Sequence, residues 1–268
     1  VETSRPSGPG RRIAVGRTAE ILEWDQGRVL KLLFDGFPGE WISSELSKIS
    51  TVRSAGASAP AVYGQVEIEG RPGMVVERID APSMLDRVVQ TPWRVGPWGG
   101  ELARIHQRLL ACRPKDLPDV KEVLAQRIEH ADPLPGPQRS RAKDTLLALP
   151  DGEALLHGDF HPGNVLLAEG GPVPIDWKEA ARGNEGADIA RTSWLLSAAT
   201  IPADLPRRRL AVALVGLLRA SYLTRIRRLT GLDRSEIGAW RLPVLSARLA
   251  EGIDTEEHAL LASIDRLG

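Results

Sequence analysis

The stretch His157-Gly158-Asp159-Phe160-His161-Pro162-Gly163-Asn164 carries the densest set of reactive side chains in the sequence. Twelve residues beyond Asn164 come Asp176 and Trp177, reached through an apolar segment and a turn ending in Pro174-Ile175. A carboxylate such as Asp159 can take the proton from a hydroxyl as that oxygen attacks phosphorus. Asn164 offers a neutral oxygen and Asp176 a charged one. Mg²⁺ takes few protein oxygens and completes its shell with phosphate and water, so one amide and one carboxylate suffice. The spacing points to phosphoryl transfer, with Asp159 as base and Asn164 and Asp176 as metal ligands. A competing reading makes the alternating His157, Asp159 and His161 a metal-hydrolase ligand set. It leaves Asn164, Asp176 and a lysine in an apolar run upstream without a use.

That lysine is Lys31, inside the apolar run Val29-Leu30-Lys31-Leu32-Leu33. An ammonium in such a run is costly unless paired. The expected partner is Glu45, which shares a helical face with Ile42 and Ile49, whereas Glu40 points elsewhere. Gly16 to Ala19, between two strand-like runs, is expected to turn over the phosphates with its single glycine.

The elements that must hold these residues fall into two groups. Residues 13–15, 19–24, 28–34, 61–66 and 72–79 read as strands, with Asp25-Gln26-Gly27 as hairpin chemistry. A helix is expected over 38–54. Beyond residue 82 helices are expected over 99–111, 121–130, 139–149, 206–229, 233–249 and 254–267, interrupted by a strand–loop–strand region over 154–177. The expectation is an α+β, bilobal fold with boundaries at 1–12 (a flexible tail), 13–80 (a small β-rich lobe with one helix) and 81–268 (a larger, mainly helical lobe). Ligands favour clefts between such lobes.

Composition narrows the function classes. The 268 residues are 42% apolar and 26% charged, and 35 basic side chains balance 35 acidic ones. Disorder and a dedicated nucleic-acid binder are not expected. The longest apolar run, 210–218, falls short of the roughly 20 residues of a membrane span. A polar, Gly- and Pro-containing start lacks a signal pattern. The single cysteine, Cys112, excludes an internal disulfide or a Cys-based zinc site. A cytoplasmic protein without membrane or nucleic-acid partners, monomeric or weakly dimeric, is expected. Of seven tryptophans, Trp24, Trp41 and Trp194 read as core, and Trp93, Trp98 and Trp240 as candidates for stacking. His106 reads as structural.

HGDFHPGNVLL and IDWKEAARGNEGADIART, with weaker echoes in ERI at 77–79 and ELARIH at 101–106, resemble the aminoglycoside phosphotransferase and choline kinase-like superfamily, which has a protein-kinase-like fold. The resemblance runs from about residue 13 to the end. It implies ATP (or GTP) and Mg²⁺ as cofactors, an N-terminal nucleotide-binding lobe and a C-terminal catalytic and substrate-binding lobe. It also implies Asp159 as base, Asn164 and Asp176 on magnesium, and Lys31 with Glu45 as the phosphate-orienting pair. Backbone groups of Glu77, Arg78 and Ile79 would hold adenine, and Asp188 would brace the catalytic loop. Protein kinases have Phe-Gly after the metal aspartate; here Trp177-Lys178 follows, without an activation segment. That resembles the small-molecule branch.

The implied activity is O-phosphorylation of a small molecule, foremost an aminoglycoside-type antibiotic, which would confer resistance. A metabolic kinase for choline, an amino alcohol or a sugar is the alternative, and an inactive kinase-like binding module a further one. Glu251, Asp254, Glu256 and Glu257 are candidate contacts for a cationic acceptor. The 11 arginines over 182–241, against five acids, pull the other way and favour a neutral or anionic one if they face substrate.

Overall fold

The computed structural model of the chain describes residues 10–25, 27–197, 200–201 and 206–267. Its first elements are β1 (Arg12–Val15), β2 (Ala19–Asp25), β3 (Arg28–Leu33), α1 (Glu40–Ser54), β4 (Val62–Ile68) and β5 (Arg71–Glu77). Then come α2 (Met84–Gln90), α3 (Val95–Leu110), α4 (Val120–Glu129), α5 (Gly136–Ala148), β6 (Ala154–Leu156), β7 (Val165–Ala168), β8 (Gly171–Pro174) and β9 (Ala181–Gly183). The chain closes with α6 (Glu185–Leu195), α7 (Arg208–Thr230), α8 (Arg234–Ala239), α9 (Arg241–Arg248) and α10 (Asp254–Asp265). The α+β class follows directly from this order. Two compact units result: Val1–Pro82 with Leu166–Lys178, and Ser83–Val165 with Glu179–Gly268.

The first unit is built on an antiparallel sheet in the order β1-β2-β3-β5-β4. Leu22, Leu30, Leu32 and Val75 form a buried cluster against which Trp24, Val66 and Ile68 pack. Side chains alternate across a strand, so Lys31 leaves β3 on the face opposite Leu30 and Leu32. Helix α1 buries Ile42, Glu45, Ile49 and Val52. Trp41, expected in the core, is exposed and packs on Phe37; it lies about 100° around the helix from Ile42.

The observed units differ from the expected boundaries at two places. Gly10 to Arg12 are not tail: Gly10 N–H donates to Glu23 O, Glu23 N–H donates to Arg11 O, and Arg12 opens β1. Residues 1–9, the rest of that segment, lie outside the described residues, as does Gln26 of the hairpin turn. The span 81–268 is not one continuous lobe, because the β7–β8 hairpin and the residues through Lys178 belong to the first unit. The Leu167 N–H donates to Pro82 O at 2.9 Å, which fastens the hairpin there.

In the second unit α3 lies along α7. A Cβ at Gly99 would approach Leu218 O to 2.5 Å, so glycine is what lets the two backbones come this close. Helix α9 packs on α4, α5, α6 and α10, and β6 pairs with β9. The single helix expected over 233–249 breaks at Trp240 into α8 and α9; Pro243, lacking an N–H, sits in the first turn of α9. Helix α2 has no counterpart in the periodicity reading. Its signal was local: Ser83 and Asp86 form a reciprocal capping box. No helix among the described residues is long and apolar enough to cross a membrane.

Candidate active site

In the first unit, Lys31 Nζ donates to both Glu45 carboxylate oxygens at 2.8 Å and to Asp176 Oδ1 at 3.0 Å. Burial pulls the Lys31 ammonium down, but Asp176 and then Glu45 outweigh it, and the group is held above its ordinary value. Burial pushes the Glu45 carboxyl up against the opposing charge of Lys31. Glu40, the other acid of α1, is exposed. Asp176 has φ 63°. Left-handed backbone in a non-glycine residue costs on the order of 1–3 kcal/mol and needs support from its surroundings. Some of that support comes from Lys48, whose Nζ donates to Lys178 O at 2.5 Å.

In the second unit the loop over 157–164 is organised by Asp188, on the first turn of α6 and almost wholly buried. Its carboxylate accepts the His157 N–H at 2.7 Å, the Gly158 N–H at 3.0 Å and His106 Nε2–H at 3.0 Å. His106 Nδ1 in turn accepts the Tyr222 hydroxyl at 2.6 Å. Burial raises the Asp188 carboxyl, yet the hydrogen bond and charge of His106, with His157, hold it below the usual range. Gly158 has φ 77°, and a Cβ there would collide with the Glu179 carbonyl, so only glycine fits the turn. Asp159 follows, part-exposed, its N–H donating to His157 Nδ1 at 3.2 Å. Asn164 Nδ2 donates to Asp159 O at 2.9 Å and to Asp159 Oδ2 at 3.2 Å. His161 Nδ1 accepts the Gly163 N–H at 3.1 Å, and its Nε2 lies 3.9 Å from Asp159 Oδ2.

The donor set can be tested against Mg²⁺. In the second unit the Asn164 amide commits its nitrogen to Asp159, which leaves Oδ1 as its acceptor; in the first unit the Asp176 carboxylate offers oxygens. Both are hard ligands of the kind Mg²⁺ takes. The hydrolase alternative fares worse. His157 and His161 each spend Nδ1 on a backbone N–H, and no group of three His, Cys, Asp or Glu ligands forms among the described residues.

The remaining sequence candidates are scattered. Gly16 sits in the β1–β2 turn with its N–H on Ala19 O. Glu77 and Arg78 spend their N–H groups on Ala61 O and Gly27 O, while the Ile79 N–H makes no hydrogen bond among the described residues. Of these three, Ile79 therefore has the free donor. The four acids expected on substrate divide. Asp254 and Glu257 are exposed. Glu251 and Glu256 are not available: Glu251 pairs with Arg191 at 2.6 Å and Arg248 at 3.1 Å, and Glu256 with Arg248 at 2.7 Å. Buried arginines thus engage both of these candidates, which leaves Asp254 and Glu257 as the exposed pair. Trp240, a stacking candidate, is buried; Trp93 is exposed. Sequence reasoning missed Tyr222, Arg191 and Arg248. Their partners lie 116, 60 and 8 residues away, at His106, Glu251 and Glu256, and only the last separation left a local signal.

The chain matches the family described as "Phosphotransferase enzyme family" over residues 17–225. No curated protein matches its sequence. It is similar in structure to a thermostable mutant (D198A) of aminoglycoside phosphotransferase APH(4)-Ia in ternary complex with ADP and hygromycin B. There the identity is 17% over 98% of this chain and 94% of that one, with TM-score 0.64. It is similar to aminoglycoside-3'-phosphotransferase of type VIII, at 18% identity over 91% of each chain and TM-score 0.59. It is also similar to the amicoumacin kinase hAmiN in complex with AMP-PNP, Ca²⁺ and Ami, at 18% identity over 94% of this chain and 86% of that one, with TM-score 0.57. At these identities the likeness establishes the fold.

Proposed function

The chain belongs to the phosphotransferase enzyme family, and from that premise we propose that it transfers the γ-phosphate of ATP to a hydroxyl of a small molecule. The observation that carries this reading is Lys31 held between Glu45 and Asp176. A lysine inside a strand with two carboxylates on it is a costly arrangement for structure alone. As a phosphate clamp it has a use: Glu45 aims the ammonium, and nucleotide oxygens share it with Asp176. Asn164 and Asp176 would hold Mg²⁺, which when bound neutralises charge on the phosphates. Asp159 accepts the hydroxyl proton, kept in orientation by the Asn164 amide. Asp188 positions the loop and does not react. The Ile79 N–H is the donor for the adenine ring.

For the acceptor, the first class is a hydroxyl-rich antibiotic of the aminoglycoside type, supported by the ligands of the structurally similar kinases. Its phosphorylation would be a resistance activity. A neutral or anionic metabolic acceptor is the second reading, and the internal pairing of Glu251 and Glu256 favours it. A panel of aminoglycosides, amino alcohols and sugars incubated with ATP and Mg²⁺, read by a phosphate mass shift, separates the two. Loss of a positioned base costs about 10²–10⁴ in rate, so Asp159→Asn should lower kcat by that factor with nucleotide affinity retained. Near-native turnover by that variant would remove Asp159 as the base.

A further inference from the structure

Several of the arginines over 182–241 gather around one cavity of the second unit. That cavity, of about 520 Å³, lies among α6, α7, α8 and α9 and is lined by Ser193, Gly216, Arg219, Arg227, Arg234 and Arg241 with apolar neighbours. Its size falls within the range of small-molecule sites. No acid lines it, and none of the four arginines makes an ion pair among the described residues. Arg219 Nε donates to Ser193 Oγ at 2.9 Å, which fixes the plane of that guanidinium. Arg227 Nε is buried without a hydrogen-bond partner. The acids of α8 and α6 are engaged elsewhere: Asp233 caps α8 through Ser235 N and Glu236 N, Glu236 returns a bond to Asp233 N, Asp188 holds the His157 and Gly158 amides, and Glu185 pairs with Arg113.

We propose that this pocket binds a small polyanion, a phosphorylated or polycarboxylic metabolite, at a site independent of the phosphotransfer machinery. Guanidinium groups recognise phosphate and carboxylate through paired N–H donors. A buried donor without a partner marks a place where a ligand oxygen fits. The cluster is also self-repelling when empty: burial first, and the charge of Arg241 next, push the Arg219 guanidinium below its usual value. An anion relieves that repulsion, so binding and stability are linked.

Thermal unfolding and calorimetric titration with inorganic pyrophosphate and with citrate, at constant ionic strength and without added metal, test the idea. Pyrophosphate or citrate should raise Tm saturably, and the tighter of the two assigns the phosphate or carboxylate class. Losing one charge-assisted contact weakens binding about tenfold, so Arg219→Gln and Arg241→Gln should each show that loss while the free variants melt no lower than wild type. Gly216→Phe fills the cavity with every arginine retained; its Cβ meets nothing within 4 Å, so the helix tolerates it, and anion binding should again fall. Lys31→Met should leave the anion response intact, which separates this pocket from the nucleotide site. Unchanged affinity in the arginine and Gly216 variants, or loss of the response in Lys31→Met, would overturn the proposal, as would the absence of any saturable response in the wild type.

Discussion

Lys31 meets two carboxylates in the first unit, Glu45 and Asp176; in the second unit Arg191 and Arg248 meet two, Glu251 and Glu256. The parts are similar and the outcomes differ. In the arginine cluster Glu256 is gripped by two nitrogens of Arg248 and by Trp194 Nε1, and Arg127 binds Glu179 beside it. Burial pushes Glu251 up, but Arg191 and Arg248 outweigh it and hold its carboxyl at about 2. Within this network Glu251 Oε1 and Arg191 Nε are buried without a hydrogen bond, although Arg191 Nη2 lies 2.6 Å from that oxygen as an ion pair. In the lysine cluster Asp176 commits Oδ1 to Lys31, while its Oδ2 is 4.0 Å from Lys178 and its side chain is 30% exposed. That carboxylate can still take a cation, and Lys31 can be shared with a phosphate. The carboxylates of the arginine cluster are thus enclosed by their partners, whereas Asp176 in the lysine cluster keeps an exposed edge.

The comparison breaks most visibly at Asp176. Asp176→Asn keeps an acceptor for Lys31 but loses the charge for metal, so kcat should fall at least about 10²-fold, as for the loss of a preorganised electrostatic group. Tm should barely change. A large loss of stability with normal turnover of the folded fraction would make this cluster structural too. Glu251→Gln should behave in the opposite way. Breaking a buried ion pair leaves its partners uncompensated and costs about 3–5 kcal/mol, read by denaturant unfolding, while kcat per folded molecule stays near wild type.

Acid sharpens the same contrast. The folded-state pKa of Glu251 is depressed to about 2 from 4.5, so its stabilisation is whole above pH 4.5 and is lost as pH falls toward 2. The difference in unfolding free energy between wild type and Glu251→Gln should shrink across that window; a difference independent of pH would contradict the pairing. Lys31 has the opposite sign. Its raised value means its contribution is complete below pH 10.5 and lost only as pH rises through the folded value. The smallest effect is expected at Glu40, exposed and five residues ahead of Glu45 on α1. Glu40→Gln should shift stability by no more than about 0.5 kcal/mol and leave kcat/KM unchanged in a steady-state assay.

Much of the candidate site was legible because its chemistry is local. Asp159 and Asn164 are five residues apart in one loop and contact each other directly. Lys31 announced itself by standing in an apolar run, and Glu45 by sharing a helical face with Ile42 and Ile49. Helix α2 could have been found from its capping box, which is equally local. Which acids of 251–257 are engaged was not legible, because a carboxylate looks the same in the sequence whether an arginine awaits it or not.

Sequence alone determined the α+β class, the candidate loop over 157–164 and the lysine that needs a partner, since each rests on residue type and short-range periodicity; the family came from the resemblance of two longer motifs. Tertiary structure decided which charges are consumed. It brought Asp176 to Lys31 across 145 residues, set Asp188 under the His157 and Gly158 amides, and placed the β7–β8 hairpin in the first unit. It also sorted the arginines, closing Arg191 and Arg248 on glutamates and leaving Arg219, Arg227, Arg234 and Arg241 around an acid-free cavity. The reason is physical: the energy of a charge depends on burial and on partners within a few ångströms, and those neighbours come from segments whose distance in the sequence carries no record of their distance in space.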